Sequence, residues 1–188
     1  MSAVSPAAVV IGTSAGALEA LSIILPALPA DFRLPVLIVV HVPPDRASVL
    51  AELFRKKCRL PVREAEDKEP IKHGTVYFAP PGYHLLVEMD KHLSLSVDEP
   101  ILYSRPSIDA LFESAADAYG PGLIAIVLTG ASHDGASGLR TVAEAGGVTI
   151  VQNPADAFAP AMPEAALNAC PQALVLSLRE IANWLVKV

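Results

Sequence analysis

The sequence predicts an α/β fold: a doubly wound, mostly parallel sheet with helices on both faces and one antiparallel β-hairpin, forming a three-layer sandwich. Near-continuous apolar runs at residues 9–11, 36–40 and 123–128 are typical of strands buried on both faces of a parallel sheet. Segments with helical spacing separate these runs, and this alternation favours parallel strands joined by helices. The length of 188 residues fits one domain with its own core, which we expect to cover residues 1–188.

The first predicted strand leads through a tight turn into the first helix. Residues 9–11 are the strand, and Gly12-Thr13-Ser14-Ala15-Gly16 is the turn. Leucines spaced three and four residues apart then predict a helix over residues 18–28. We expect it to end near Pro26 and Pro29, because proline interrupts helical hydrogen bonding.

The middle of the chain mixes helix and strand patterns. We predict, in order, a strand over residues 35–40, a helix over 48–58, strands over 61–65 and 75–79, and a hairpin whose strands 84–88 and 92–97 are joined by residues 89–91. The basic run Arg55-Lys56-Lys57 suits the end of a helix because it complements the negative end of the helix dipole.

The last part of the chain repeats the strand–helix alternation. Ser107 is placed to cap a helix over residues 108–119, whose apolar residues share one face. The remaining predicted elements are a strand over 122–128, a helix over 136–145, a strand over 147–151, a helix over 163–169, a strand over 173–176 and a helix that continues to Val188.

Composition and charge argue against several classes of protein. No apolar run approaches the roughly 18 residues of a membrane-spanning helix, and residues 1–8 lack the basic start of a secretory signal. The net charge of −6 argues against nucleic acid or an anionic membrane as the main partner. Cys58 and Cys170 are isolated thiols without metal-ligand spacing. We therefore expect a cytoplasmic protein that does not insert into a membrane.

The turn around Ser14 has the Gly-x-Ser-x-Gly pattern of a nucleophile elbow. In such a strand–turn–helix the two glycines, Gly12 and Gly16, permit a tight backbone, and the helix points free N–H groups at the serine. A dinucleotide-binding turn would need a glycine at the position of Ser14. A P-loop would need a lysine at the end of the turn, but the first lysine in the chain is Lys56. An ordinary turn without chemistry is the remaining alternative, so partners elsewhere in the chain must decide.

Three predicted buried strands end close to reactive side chains. Ser14 follows the first strand, His41 the second, and Asp134 the strand over residues 123–128. Because sites in open α/β sheets lie at the carboxyl ends of strands, we expect these side chains to share one edge. They would form a nucleophilic triad in which Ser14 attacks, His41 acts as base and Asp134 orients the base.

Each of these residues also has an ordinary interpretation. A histidine at a strand end often only makes a hydrogen bond, and Asp134-Gly135 is a common turn pair. His133 is a less favoured base, because a sequence neighbour of Asp134 usually points elsewhere. The α/β-hydrolase order would use Ser14, Asp109 and His133, which leaves His41 unexplained. We assign no catalytic role to His73, His84, His92 or Glu19.

Backbone N–H groups near the serine would stabilise an oxyanion. Ala15 follows Ser14 at the start of the helix, and Ala131 lies in the turn before Asp134. Loss of one such donor typically costs about 3 kcal/mol of transition-state stabilisation. We expect the N–H groups of Ala15 and Ala131 to form the oxyanion hole.

Several blocks of sequence form a recognisable series along nearly the whole chain. They are Ile11-Gly12-Thr13-Ser14-Ala15-Gly16, Val40-His41-Val42-Pro43, Tyr77-Phe78-Ala79-Pro80-Pro81-Gly82-Tyr83-His84-Leu85, Arg105-Pro106-Ser107-Ile108-Asp109, Leu128-Thr129-Gly130 with Asp134-Gly135-Ala136, and Met162-Pro163-Glu164-Ala165-Ala166. Together they resemble the catalytic domain of chemotaxis protein-glutamate methylesterases. The resemblance implies hydrolysis of γ-glutamyl methyl esters on the cytoplasmic helices of methyl-accepting chemoreceptors, with release of methanol, and often deamidation of receptor glutamines. It implies the same roles for Ser14, His41 and Asp134, and no cofactor or metal.

The sequence departs from the family's pattern in two places. Ala17 stands where a second glycine is usual after the elbow, and Ala131-Ser132 replaces Met-Gly before the aspartate. Both changes are small and surround the expected oxyanion hole, so they would alter rate or substrate fit more than abolish activity. The family's receiver domain has no room before the elbow, so we expect either a stand-alone methylesterase or a piece of a longer protein.

The leading hypothesis is a carboxylic-ester hydrolase that acts on receptor glutamate methyl esters. An alternative from another class is a docking domain that keeps the fold without catalysis, for which Ala131-Ser132 is the only support. A third option is a small-molecule esterase or amidase with the same triad. Covalent labelling of Ser14 by a serine-directed reagent would separate an enzyme from a docking domain.

Overall fold

The computed structural model describes residues 4–42 and 49–188, in which strands and helices alternate along most of the chain. The strands are β1 (Ala8–Thr13), β2 (Val36–Val40), β3 (Val62–Glu64), β4 (Val76–Phe78), β5 (His84–Val87), β6 (Leu93–Ser96), β7 (Leu123–Val127), β8 (Val148–Gln152) and β9 (Leu174–Leu176). The helices are α1 (Ala17–Ile24), α2 (Leu50–Arg55), α3 (Ile108–Tyr119), α4 (Ala136–Glu144), α5 (Ala161–Ala169) and α6 (Leu178–Leu185).

Seven of the strands form one sheet in the order β3-β4-β2-β1-β7-β8-β9, and every pairing in it is parallel. β1 lies at the centre, paired with β2 on one side and with β7 on the other. Strand order therefore reverses between β1 and β7, which is the doubly wound arrangement that the sequence predicts. It places the carboxyl ends of β1, β2 and β7 side by side.

Helices cover both faces of the large sheet and complete three layers. α1, α2 and α6 pack on one face, against side chains such as Ile11 and Ile38. α3, α4 and α5 pack on the other face, against side chains such as Val10 and Val127. Every residue of β1, β2 and β7 is buried, because alternate side chains of each strand enter the two opposite cores. The predicted α/β sandwich is confirmed.

The antiparallel hairpin forms a separate two-stranded sheet. β5 and β6 pair with Leu85 opposite Leu95, and β5 packs on α3. Leu85, Val87 and Leu93 are buried in the core on that side. In residues 4–42 and 49–188, no helix is both long enough and apolar enough to cross a membrane.

Prolines explain the main differences between predicted and observed helices. The helix predicted over residues 18–28 is α1, which ends at Ile24 and continues as a 3-10 turn at Leu25–Ala27, because Pro26 has no N–H to donate. The helix predicted from residue 163 begins two residues earlier, at Ala161, and Pro163 sits in its first turn, where its missing N–H costs nothing. The predicted start of α2 at Ser48 lies outside the described residues.

Candidate active site

Ser14 lies in the turn between β1 and α1, where the neighbouring strand holds its backbone. Its N–H donates to the carbonyl of Thr129 at 2.9 Å, and Thr13 Oγ1 donates to the same carbonyl at 2.9 Å. The carbonyl of Ser14 accepts the N–H of Ala17 at 3.0 Å, which closes the turn. The strand–turn–helix elbow that the sequence predicts is therefore formed.

The two glycines of the elbow are needed for different reasons. Gly16 has a left-handed backbone with φ of 87°, and a Cβ on it would lie 2.8 Å from Phe158 Cβ. Gly12 belongs to β1, and a Cβ on it would lie 2.2 Å from Ile108 Cγ2. The close approach of α3, and not the tightness of the turn, excludes a side chain at position 12. The predicted reason for Gly12 is therefore wrong, while the reason for Gly16 holds.

His41 and Asp134 are in direct contact. His41 Nε2 lies 2.7 Å from Asp134 Oδ2, with the imidazole 13% exposed and the carboxylate fully buried. The N–H of His41 donates to the carbonyl of Thr13 at 3.2 Å, which fixes the end of β2 against β1. Because Nε2 is engaged with the carboxylate, Nδ1 is the ring nitrogen left to receive a proton from a nucleophile.

Ser14 lies at the same edge of the sheet as this pair. Thr13 is paired with Val40, so Ser14 and His41 are the next residues on neighbouring strands. Ser14 Cβ is 3.0 Å from the position of a Cβ built on Gly130, so the serine lies against the loop that leads to Asp134. No hydrogen bond joins Ser14 Oγ to His41, both of which are described residues. Such contacts are often longer in an unliganded enzyme and shorten when substrate binds.

Asp134 is held at the N-terminus of α3. Its Oδ2 accepts the N–H of Ile108 at 2.7 Å, and its Oδ1 accepts Ser107 Oγ and the N–H of Asp109, both at 2.9 Å. Burial by itself raises the pKa of Asp134, but the hydrogen bond from His41 and the N–H groups of Asp109 and Ile108 outweigh it. The pKa therefore lies below its ordinary value of 3.8. The carboxylate is charged at neutral pH, as a group that orients a base must be.

Ser107 and His84 support the acid from the side of the hairpin. Ser107 Oγ accepts the N–H of Ala110 at 3.3 Å, which confirms the predicted cap, and the same hydroxyl reaches Asp134. His84, only 2% exposed, accepts the N–H of Ser107 on Nδ1 at 3.1 Å. Its Nε2 donates to the carbonyl of Glu99 at 3.1 Å, so the proton is on Nε2. No role for His84 is predicted from the sequence, because this contact joins two segments that no local pattern relates.

Thr129 connects the elbow with the segment before α5. Its Oγ1 donates to the carbonyl of Ala15 at 2.8 Å and accepts the N–H of Ala159 at 2.9 Å. Its N–H donates to Gln152 Oε1 at 2.8 Å. From the sequence, Thr129 is recognised only as part of a motif, and no role is predicted for Gln152. Both act across segments that are far apart in the chain, and the only available signal was the position of Thr129 at the end of an apolar strand.

The expected oxyanion donors are Ala15, which follows Ser14 in the elbow, and Ala131, which follows Gly130. Neither N–H donates to another group in the part of the chain that the structure describes. Gly130, which precedes Ala131, is fixed because its N–H donates to Ala159 at 3.0 Å and its carbonyl accepts the N–H of Met162 at 2.9 Å. The role of these two N–H groups as oxyanion donors stays a prediction.

The other titratable residues of the sequence analysis lie elsewhere. His133 is exposed, and its side chain makes no hydrogen bond within the described ranges. Asp109 accepts the N–H groups of Gly135 and Gly138, so the order Ser14, Asp109, His133 gains no support. His73 and Glu19 are exposed, and His92 contacts Asp90.

Two cavities lie near these residues, one beside His41 and the other beside the elbow. One of about 380 Å³ lies beside His41 and is also lined by Tyr103, Arg105 and Pro106. The other, of about 190 Å³, is bordered by Gly16, Thr129 and Phe158, among others. Among the residues that the structure describes, no group of three or more His, Cys, Asp and Glu side chains is placed to hold a metal ion.

Comparisons with known proteins agree on one family. The model of the family described as CheB methylesterase matches residues 9–185. The protein-glutamate methylesterase/protein-glutamine glutaminase of Archaeoglobus fulgidus is 36% identical over 182 residues, and the match covers 95% of this chain but 52% of that protein. A Leptospira interrogans protein provisionally given the same name is 45% identical over 181 residues, covering 96% of this chain and 94% of its own.

The fold agrees with a solved member of the same family. The crystal structure of the Thermotoga maritima CheB methylesterase catalytic domain superposes with a TM-score of 0.92 at 34% identity, covering 98% of this chain and 99% of that one. The chain therefore belongs to the CheB methylesterase family.

Proposed function

We propose that this protein is a serine hydrolase that removes methyl groups from glutamate γ-methyl esters of chemoreceptors and releases methanol. The observation that carries the proposal is the buried Asp134 carboxylate, which lies 2.7 Å from His41 beside the Ser14 elbow in a member of the methylesterase family. The name of the Archaeoglobus fulgidus relative adds glutamine deamidation. We propose that reaction for the same site, because it is the same acyl transfer with ammonia as leaving group.

In the first half of the reaction, Ser14 Oγ attacks the γ-carbonyl carbon of the ester. Nδ1 of His41 takes the hydroxyl proton, because Nε2 is engaged with Asp134. The negative charge of Asp134 stabilises the imidazolium that results. The C–O bond to the methoxy group then breaks, His41 returns its proton to that oxygen, and methanol leaves an acyl-serine.

Water completes the reaction in the same way. His41 removes a proton from water as its oxygen attacks the acyl carbon, and the proton then goes to Ser14 Oγ as the acyl bond breaks. One ester and one water give one glutamate side chain and one methanol. In both halves the developing oxyanion would accept the N–H groups of Ala15 and Ala131, neither of which has a partner within the described residues.

The cavity beside His41 leaves room for a side chain of a protein substrate. The cavity beside His41 holds about 380 Å³, which is ample for a glutamyl side chain, and it opens to solvent past the exposed Tyr103. We propose that the substrate segment is a helix of the cytoplasmic part of a chemoreceptor, which places the protein in the cytoplasm. We propose no nucleic acid partner, given the net charge of −6.

Replacement of the nucleophile tests the proposal. Ser14→Ala should reduce methanol release from methylated receptor to the background rate, because a methyl side chain cannot form the acyl intermediate. The melting temperature should stay close to that of the wild type, since Ser14 Oγ makes no hydrogen bond to a described residue. The matched control is Ser5→Ala, at an exposed serine that precedes β1 and so lies at the opposite end of that strand from Ser14. Retained methanol release in Ser14→Ala would rule out the mechanism.

The docking-domain alternative makes a different prediction. A serine-directed fluorophosphonate should label the wild type at Ser14 and leave Ser14→Ala unlabelled, whereas a docking domain would not react. The departure at Ser132, which was the support for the alternative, fits the enzyme as well. Ser132 Oγ accepts the N–H of Asp134 at 3.1 Å and so helps to hold the turn that carries the acid.

A further inference from the structure

Helices α3 and α4 exchange carboxylates at their N-termini. Asp134, which precedes α4, accepts the N–H groups of Ile108 and Asp109 at the start of α3, at 2.7 and 2.9 Å. Asp109, in the first turn of α3, accepts the N–H groups of Gly135 and Gly138 at the start of α4, at 2.9 and 2.7 Å. Each helix end is therefore capped by an acid from the other helix.

We propose that Asp109 is a positioning residue that fixes the Asp134 carboxylate against His41 by holding the turn that carries it. The inference rests on the function proposed above. It assigns Asp109 a part in the reaction without contact with substrate.

The main chain around Asp134 has two side-chain anchors. Ser132 Oγ accepts the N–H of Asp134 at 3.1 Å, and Asp109 Oδ1 accepts the N–H of the next residue, Gly135, at 2.9 Å. Without Asp109, two buried N–H groups would lose their acceptor, which favours movement of the turn. A shift of about 1 Å in a catalytic group can cost about 100-fold in rate.

The charge of Asp109 also faces the site. Burial raises the pKa of Asp109 to about 6, the charges of Asp134 and Glu113 act in the same direction, and the N–H groups of Gly138 and Gly135 oppose them. No basic side chain pairs with Asp109 in residues 4–42 and 49–188. The nearby histidines do not contact it directly: His41 contacts Asp134, and His84 accepts the N–H of Ser107, whose hydroxyl also contacts Asp134. Above about pH 6, both Asp109 and Asp134 are therefore negatively charged near the imidazole of His41.

Two substitutions separate position from charge. Both hydrogen bonds of Asp109 go to Oδ1, so Asp109→Asn keeps an acceptor for them, whereas Asp109→Ala removes it. We expect Asp109→Ala to lower kcat about 100-fold with little change in KM. Asp109→Asn should keep kcat within about threefold and move the acid limb of kcat/KM to lower pH by roughly 0.5 to 1 unit, because one negative charge is lost. The matched control is Asp117→Ala, at an exposed residue of α3.

A spectroscopic readout follows the acid directly. The proton shared by His41 Nε2 and Asp134 should give a downfield NMR signal in the wild type and in Asp109→Asn, and this signal should be lost or broadened in Asp109→Ala. A wild-type kcat together with an unchanged signal in Asp109→Ala would overturn the proposal. If that variant does not fold, Asp109→Leu takes its place, because leucine keeps the branched shape of aspartate but offers no acceptor to Gly135 and Gly138. A wild-type kcat with an unchanged signal in that variant would likewise overturn the proposal.

Failure of the proposed function is recognised separately. In that case the wild type and Ser14→Ala would release methanol equally slowly. The NMR comparison of Asp109→Ala with the wild type would still test whether Asp109 places the carboxylate.

Discussion

At the residue scale, the two buried acids of the site differ in how they use their oxygens. Asp134 accepts hydrogen bonds on both, from His41 and Ile108 at Oδ2 and from Ser107 and Asp109 at Oδ1. Among the described residues, Asp109 accepts hydrogen bonds on Oδ1 alone. An asparagine can therefore replace Asp109 without losing an acceptor, but at position 134 its amide group would face two donors.

Asp134→Asn should consequently be much more damaging than Asp109→Asn. We expect it to lower kcat for methanol release by about 10³- to 10⁴-fold, because the imidazole loses both its orientation and the charge that stabilises its protonated form. The two variants are compared side by side on the same methylated receptor. An Asp134→Asn enzyme within tenfold of the wild type would contradict the assignment of Asp134 as the orienting acid.

The residues that we propose to react are easier to predict from the sequence than the residues that support them. Ser14, His41 and Asp134 each come after an apolar strand, and the carboxyl ends of parallel strands lie at one edge of a sheet, so the sequence predicts that these residues share that edge. Thr129 and His84 act through bonds to segments that are distant in sequence. Such contacts depend on how helices and hairpin pack, which local patterns do not contain.

At the scale of elements, α3 is the helix that joins the fold to the site. The first residue of α3, Ile108, donates its N–H to Asp134. The side chain of Ile108 fills the space above Gly12 of β1, because a Cβ on Gly12 would lie only 2.2 Å from Ile108 Cγ2. The N-terminus of α3 can hold the acid only because β1 has no side chain at that position.

Gly12→Ala should therefore affect both stability and rate. We expect a loss of about 1–3 kcal/mol in the free energy of unfolding, since the new methyl group overlaps Ile108, together with a lower kcat. Urea unfolding of a double-mutant cycle with Ile108→Ala provides the control, because truncation of Ile108 removes the overlap. If Gly12→Ala costs the same in both backgrounds, the contact is not the cause.

Prolines limit how well apolar spacing predicts where a helix begins and ends. The apolar spacing that predicts a helix over residues 18–28 is present, but Pro26 turns its last part into a 3-10 turn. At Pro163 the predicted helix is too short and not too long. A proline is compatible with the first turn of a helix, so α5 begins before Pro163, at Ala161. The strands are predicted more closely, since continuous burial leaves few alternatives for runs such as β2.

At the scale of the whole molecule, the two acids give opposite pH dependences of stability. The pKa of Asp134 is lowered, so Asp134 contributes stability that is fully present above 3.8 and is lost as the pH falls through the lowered value. The pKa of Asp109 is raised to about 6, so its ionisation costs stability that is absent near pH 3.8 and complete above about pH 6.

Asp109→Asn isolates the second effect. We expect the free energy of unfolding of the wild type, relative to Asp109→Asn, to decrease between pH 4.5 and pH 7, because the native wild type binds more protons than its unfolded chain in that range. Urea titrations at the two ends of the range measure the difference. A difference that does not change with pH would show that Asp109 titrates normally in the native protein.

The order of strands in the sheet was beyond the sequence analysis. Apolar runs predict buried parallel strands, but the placement of β1 between β2 and β7 comes from packing across the whole chain. That placement creates the switch point at which the site lies.

The hydrogen bonds from the start of α3 to Asp134 have a consequence for relatives that lack hydrolytic activity. Such a protein could replace Ser14 at little structural cost, yet its third helix would still need an acid at its first turn. Retention of the aspartate in a diverged relative would thus indicate an intact scaffold, and only retention of the serine would argue for a working enzyme.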